Sequence, residues 1–282
     1  MKTKIKLVKK FTSHIKKYLF QAIAVAAIAL LFSACESRSE KLYKQAYDKI
    51  SANQFLDAID LLESSSDIEK DPEKKTRALF EAARLLRFEI QDYNKALMHL
   101  KKIVLESSDE KIRLLSQEAI ADIYFDNLQN YPQALKELLI LEPLIKDEVK
   151  KESIRLKIAK CQFLTGNSKV ALEYIQSFLP QLKDAKKNFL LLKAQILQST
   201  QKLDESLLVY EEIYKLDIEY FKSENLFSAV SLVMEEKQDY KKAIEYVQSH
   251  EADFTDKNYY DLRLKRLREK LTNKPFSKGV RK

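Results

Sequence analysis

A chain of 282 residues with two glycines and five prolines is short of the residues that take positive φ, which excludes a fold of strands joined by tight turns. Leu, Lys, Glu, Ala, Gln and Ile dominate and favour helix, so the class is all-α. The formal charge of +8 sits at the two ends, with seven lysines in residues 1–34 and nine bases against one acid in residues 263–282. The stretch between them is about −7, which excludes the basic folded face that nucleic-acid binding requires.

In chain order, Met1 to Lys17 holds seven lysines and no acid, and Tyr18 to Phe32 is apolar apart from Gln21. A charged region followed by an apolar one is the layout of an export signal. Ser33 and Ala34 then lead to Cys35. This end resembles a bacterial lipoprotein signal and its lipobox, in which an apolar residue and two small ones precede the modified cysteine. Phe32 stands where that pattern favours leucine. The resemblance implies loss of the signal peptide 1–34, lipid on Cys35 and a membrane-anchored chain in the cell envelope, at the outer membrane and facing the periplasm. The alternative is an uncleaved anchor, since Tyr18 to Ala34 is just long enough to span a bilayer and the lysines would stay cytoplasmic. Both place residues 36–282 on the same side. With Cys35 lipidated, Cys161 has no disulfide partner, and among Ile158, Ala159 and Leu164 it reads as a small buried hydrophobe.

Six segments then share one pattern: a polar turn, an aromatic or apolar residue, and three positions later a small residue that opens an apolar stripe. They are Asn53 to Ala58, Gln91 to Ala96, Gln129 to Ala134, Gly166 to Ala171, Gln201 to Ser206 and Gln238 to Ala243. The small residues recur at intervals of 38, 38, 37, 35 and 37. Four residues on stand Leu62, Leu100, Leu138, Ile175, Tyr210 and Val247, one turn along the same helix face. Amphipathic helices precede these segments, as over Thr76–Ile90 and Ser153–Leu164, so the unit is a helical hairpin repeated about every 37 residues.

This series resembles the tetratricopeptide repeat, over roughly residues 38–250. The periods exceed the family's usual 34, and Leu203 and Ser206 stand where Tyr and Ala are typical. Ala46, Ala159 and Ala194 occupy places that the family gives to glycine. The resemblance implies a right-handed superhelical solenoid that binds proteins on a surface formed by its first helices. Placing the pattern here puts Tyr47, Lys160, Gln195 and Gln198 near that surface, with an extended peptide as the fitting ligand.

Pro143 and Pro180, each nine residues after a small position, should end or kink their helices. The acidic run Asp67 to Glu73 reads as an inter-repeat loop. A repeat array needs its last apolar face covered. Tyr260, Leu264, Leu267 and Leu271 fall at helical spacing with Arg263, Lys265, Arg266 and Arg268 between them, Thr255 or Asp256 can cap the start, and Asn273-Lys274-Pro275 ends the helix. The expected organisation is a signal at 1–34, about six repeats over 35–250, a capping helix over 251–273 and a basic disordered tail at 274–282.

No residues point to catalysis. Of three histidines, His14 lies in the signal, and neither His99 nor His250 has a partner at metal-ligand spacing. A phosphate loop is impossible with so few glycines, and no nucleophile elbow or Cys/His pair occurs. The expectation is a protein that is not an enzyme and has no cofactor and no metal, with protein partners of unknown identity, a lipid-mediated membrane contact and no nucleic acid. Ser37-Arg38-Ser39-Glu40-Lys41-Leu42-Tyr43-Lys44-Gln45-Ala46 resembles the start of BamD-type lipoproteins, which serve outer-membrane β-barrel assembly. The other reading is an envelope factor that self-associates or binds peptidoglycan, its basic tail touching glycan or lipid.

Overall fold

The computed structural model describes residues 37–182, 185–254 and 256–273. Cys35, the signal-like segment and the tail 274–282 lie outside the described residues. Among those described there are fourteen α-helices and no strand. The hairpins pair α1 (Arg38–Ser51) with α2 (Phe55–Ile68) and α3 (Pro72–Leu85) with α4 (Tyr93–Glu106); α5 (Glu110–Asp122) and α6 (Tyr131–Leu141) follow in the chain. They continue with α7 (Glu148–Leu164) and α8 (Ser168–Phe178), α9 (Lys186–Ser199) and α10 (Leu203–Leu216), then, after the short α11 (Ile218–Ser223), α12 (Leu226–Glu236) and α13 (Tyr240–Ser249). α14 (Lys257–Thr272) closes the series against α13. The chain divides within α5 into two compact units, one up to Ala119 and one from Ile120.

The repeated motif works through its first residue. Asn53, Gln91, Gln129, Gly166, Gln201 and Gln238 all take left-handed backbone, with φ between 50° and 84°. In that conformation the chain reverses, and the next amide reaches back to a carbonyl of the preceding helix. Gln54 N bonds Lys49 O, Asn167 N bonds Gln162 O and Lys202 N bonds Leu197 O, each at 2.9 Å. Glycine performs this turn once; asparagine and glutamine perform it five times, at a steric cost that their helices' packing offsets.

Two first helices end in a π turn, Leu86–Ile90 after α3 and Ile123–Asn127 after α5. A π turn accommodates one extra residue in a helix. Its effect shows in the small residues of each hairpin, all at most 1% exposed. Ala46 and Ala58, Ala159 and Ala171, Ala194 and Ser206, and Ser231 and Ala243 are twelve positions apart. Ala83 and Ala96, and Ala121 and Ala134, are thirteen apart, and these are the hairpins with π turns. The extra residue is absorbed before the turn, so the small residues keep their buried places. Ser206 replaces the usual alanine at no polar cost because its hydroxyl donates to Ala194 O at 2.9 Å.

First helices are also capped periodically. Asp71, Asp109 and Asp147, spaced 38 and 38, accept amide hydrogens at the starts of α3, α5 and α7. Part of the acidic run Asp67 to Glu73 is therefore a helix start, while Glu69 to Asp71 form the loop. Pro143 and Pro180 stop their helices as expected: α6 and α8 give way to 3-10 turns at Glu142–Leu144 and Leu179–Gln181. Asp256 caps α14. Tyr260, Leu264 and Leu267 are buried there, but Leu271 is 42% exposed and Arg263 is buried instead.

Each unit has its own core. In the first, Ala46, Ala58, Leu62, Leu79, Ala96 and Leu100 are almost fully buried, and Ser65 Oγ donates to Ser39 O at 2.7 Å. In the second, one cluster runs from Ala159 to Leu267, with edge-to-face rings at Phe178–Phe189 (5.2 Å) and Phe221–Phe227 (4.8 Å). Each fully buried phenylalanine contributes about 1.5–3 kcal/mol of transfer free energy. Cys161 is also fully buried, and burial pushes its thiol pKa up to about 12, so it packs as a hydrophobe.

Candidate functional site

A wide opening in the second unit lies between the first helices α7 and α9. It is a groove of about 670 Å³. Glu148, Val149, Glu152 and Leu156 line it from α7, and Asn188 and Phe189 from α9. The helix starts fix these positions: Asp147 caps α7 through Lys150 N at 2.7 Å, which sets the first-turn residues toward the opening. The buried stripe of α7 is Ile154, Ile158, Ala159 and Cys161. Val149 falls outside it and is 77% exposed. Val149 thus adds an apolar side chain to a groove rim that also carries two carboxylates.

Farther along α7, Lys157 Nζ bonds Asp122 Oδ1 at 2.7 Å and Asp126 Oδ2 at 3.2 Å, and lies 5.2 Å from the Phe125 ring centroid. Burial alone would lower the Lys157 pKa; the two aspartates outweigh it and hold the amine above its ordinary value. The positions expected from the repeat pattern surround this row without entering the groove. Lys160 is exposed one turn beyond Leu156, and Gln195 is exposed on α9. Gln198 is half-buried and tied to the next first helix, donating to Glu236 Oε2 at 3.0 Å, while Gln201 donates to Glu236 Oε1 at 2.6 Å. Tyr47 belongs to the first unit, is 42% exposed and places its hydroxyl 3.2 Å from that of Tyr43. The structure therefore groups Lys160, Gln195 and Gln198 on neighbouring first helices but lines the groove with residues that sequence reasoning passed over. Val149, an apolar residue off its helix's stripe, was the available signal.

Among the described residues no group of three or more His, Cys, Asp and Glu side chains could hold a metal ion. His99 is buried and bonds Glu63 at 2.7 Å through Nε2. Burial pushes the Glu63 pKa up, but the bonds from Lys95 and His99 hold it below the ordinary carboxylate value. The groove can hold an extended segment of chain: apolar side chains against Val149, Leu156 and Phe189, bases against Glu148 and Glu152.

No protein-family model and no curated protein matches the chain. Solved structures do. The C-terminal part of a TPR repeat-containing protein from Cytophaga hutchinsonii is similar with a TM-score of 0.62 at 15% identity, over 87% of this chain and 96% of that one. A tetratricopeptide repeat protein from Parabacteroides merdae gives 0.56 at 14%, over 86% and 95%. A signal-transduction ATPase with a tetratricopeptide repeat sensor, from Pyrococcus horikoshii, gives 0.58 at 16%, over 83% of this chain and 39% of that one. At these identities the likeness establishes the fold, tandem tetratricopeptide-like hairpins.

Proposed function

We propose that the chain is a scaffold that binds a partner polypeptide along its first helices and holds it near a membrane of the cell envelope. The observation that carries this reading is the groove between α7 and α9, where Val149 stands exposed between Glu148 and Glu152 over Leu156 and Phe189. The apolar residues supply affinity on contact and the carboxylates select a basic or neutral segment. The membrane part rests on the sequence alone: the charged and apolar regions ending in Ser33-Ala34-Cys35 argue for a lipid anchor on Cys35 at the outer membrane, facing the periplasm. The likeness of Ser37 to Ala46 to BamD-type lipoproteins makes outer-membrane protein assembly the process to examine first.

A photo-crosslinking amino acid at Val149 or Gln195, compared with one at the exposed Leu105 on α4, tests the scaffold reading in membranes. The same partner should be trapped from the first two positions and not from the third. Trapping at all three, or at none, removes the groove reading. Palmitate labelling of the wild type against Cys35→Ala tests the anchor separately, and an unlabelled wild type would make residues 18–34 a spanning anchor. Among the described residues no helix is long and apolar enough to cross a membrane.

A further inference from the structure

A second cavity, of about 490 Å³, opens among α10, α11, α12 and α13. None of the residues that line it lines the groove between α7 and α9. Its walls are apolar and aromatic, with Phe221, Val230 and Met234 beside three tyrosines. Tyr210 is the informative one. It is 2% exposed, yet its hydroxyl has no hydrogen-bond partner among the described residues. A phenol without a partner on the wall of an open cavity is free to bond what enters it. Tyr214 and Tyr246, which line the same cavity, also have hydroxyls without a partner among the described residues. His250 stacks on Tyr246 with ring centroids 4.4 Å apart, and its Nδ1 lies 2.9 Å from Tyr246 O and 3.0 Å from Ser249 Oγ.

The remaining polar groups of the cavity are Asp204 and Glu211. Asp204 pairs with Lys237, and Glu211 with Lys215 at 2.5 Å, in contacts where both carboxylates stay largely exposed. Exposed pairs of this kind are weak, so either carboxylate can turn to a better donor. The cavity thus offers aromatic faces, tyrosine hydroxyls and two carboxylates, and no lysine or arginine is among the described residues that line it. This set is complementary to a planar cation that carries several donors on an apolar stem. We propose that the cavity receives an arginine side chain of a partner polypeptide, its guanidinium stacked on tyrosine and bonded to the phenols and to Asp204 or Glu211. Guanidinium suits such a site better than ammonium because it is flat, stacks on rings and donates along several directions. The remaining volume takes an apolar neighbour of the arginine.

The test uses the full-length chain in non-ionic detergent and a fluorescein-labelled peptide with one arginine between two leucines, followed by anisotropy. Saturable binding is expected, weakened about tenfold or more when citrulline, the same shape without the charge, replaces arginine. Tyr214→Leu and the pair Asp204→Asn with Glu211→Gln should each weaken it about tenfold, and Tyr210→Phe a few-fold, with unchanged helical circular dichroism. Equal affinity for the arginine and citrulline peptides, no saturable binding, or indifference to Tyr214→Leu would overturn the proposal. Removal of residues 274–282 should leave the affinity unchanged. A marked tightening on that removal would give the cavity to the chain's own basic segment, Lys274 to Lys282, and overturn the partner assignment.

Discussion

Replacing Glu235 with alanine asks whether one buried charge cluster holds the closing helix α14. Glu235, on α12, is 6% exposed and accepts from three side chains of α14: Arg263, Arg266 Nε at 3.1 Å and Lys270 Nζ at 2.6 Å. Arg263 is 4% exposed; its Nε donates to Ser231 Oγ at 2.9 Å, and its Nη2 is sealed from solvent with no partner. Without the carboxylate this guanidinium stays buried with no counter-ion, a loss on the order of 3–5 kcal/mol. Arg266 and Lys270 are 60% and 44% exposed, so Arg266→Ala or Lys270→Ala should each cost only about 0–1 kcal/mol. Glu235→Leu combined with Arg263→Met removes the charge together with its need for a partner and should recover most of the loss. Urea unfolding and amide exchange within α14 provide the readout, because the last element of a repeat array can open without the rest. Acid gives an independent check. Burial pushes the Glu235 pKa up, but the bonds from Lys270 and Arg263 hold it below the ordinary carboxylate value. A folded pKa below the unfolded one means that the stabilisation is complete at neutral pH and is lost as pH falls through the folded value. Protection of α14 should therefore drop on acidification in the wild type and not in the double variant. A Glu235→Ala loss under about 1 kcal/mol, or a double variant as unstable as the single one, would refute the reasoning.

The turns and the π segments give two further predictions. At Gly166, φ is +84° and an added Cβ would meet nothing within 4 Å, so Gly166→Ala should cost about 1–2 kcal/mol through the backbone alone. Gln91→Gly, in the same conformation, should change stability in the opposite direction by up to about 1 kcal/mol; a shift of the same sign in both thermal unfolding curves would contradict the shared geometry. Deleting the exposed Glu89 from the π turn Leu86–Ile90 should keep the helical signal and one cooperative transition, since it restores the twelve-residue spacing from Ala83 to Ala96. Deleting Gln195 from the regular helix α9 rotates everything after it by about 100° and should broaden or abolish that transition. Equal damage from the two deletions would mean that the π turn is not an absorbed insertion.

Composition and spacing by themselves determined the helical class, the six turns, the small residue that opens each second helix and the presence of a closing helix. These are local facts: an αL turn, a capping aspartate and a small residue at helical spacing impose their geometry within a dozen residues. The π turns escaped notice because an extra residue just before a turn leaves the apolar stripe on either side intact. Only the change from twelve to thirteen between small residues records it. Tertiary packing decided the rest. Arg263 reads as one of a row of solvated bases, and only the approach of α12 makes it the buried partner of Glu235. Val149 and Phe189, and likewise Tyr210 and His250, lie 40 residues apart in the chain and meet because helices of successive hairpins stack. Periodicity marks which residues are apolar, but which of them stay uncovered depends on how neighbouring helices close over one another, and that closure makes both the groove at Val149 and the cavity at Tyr210.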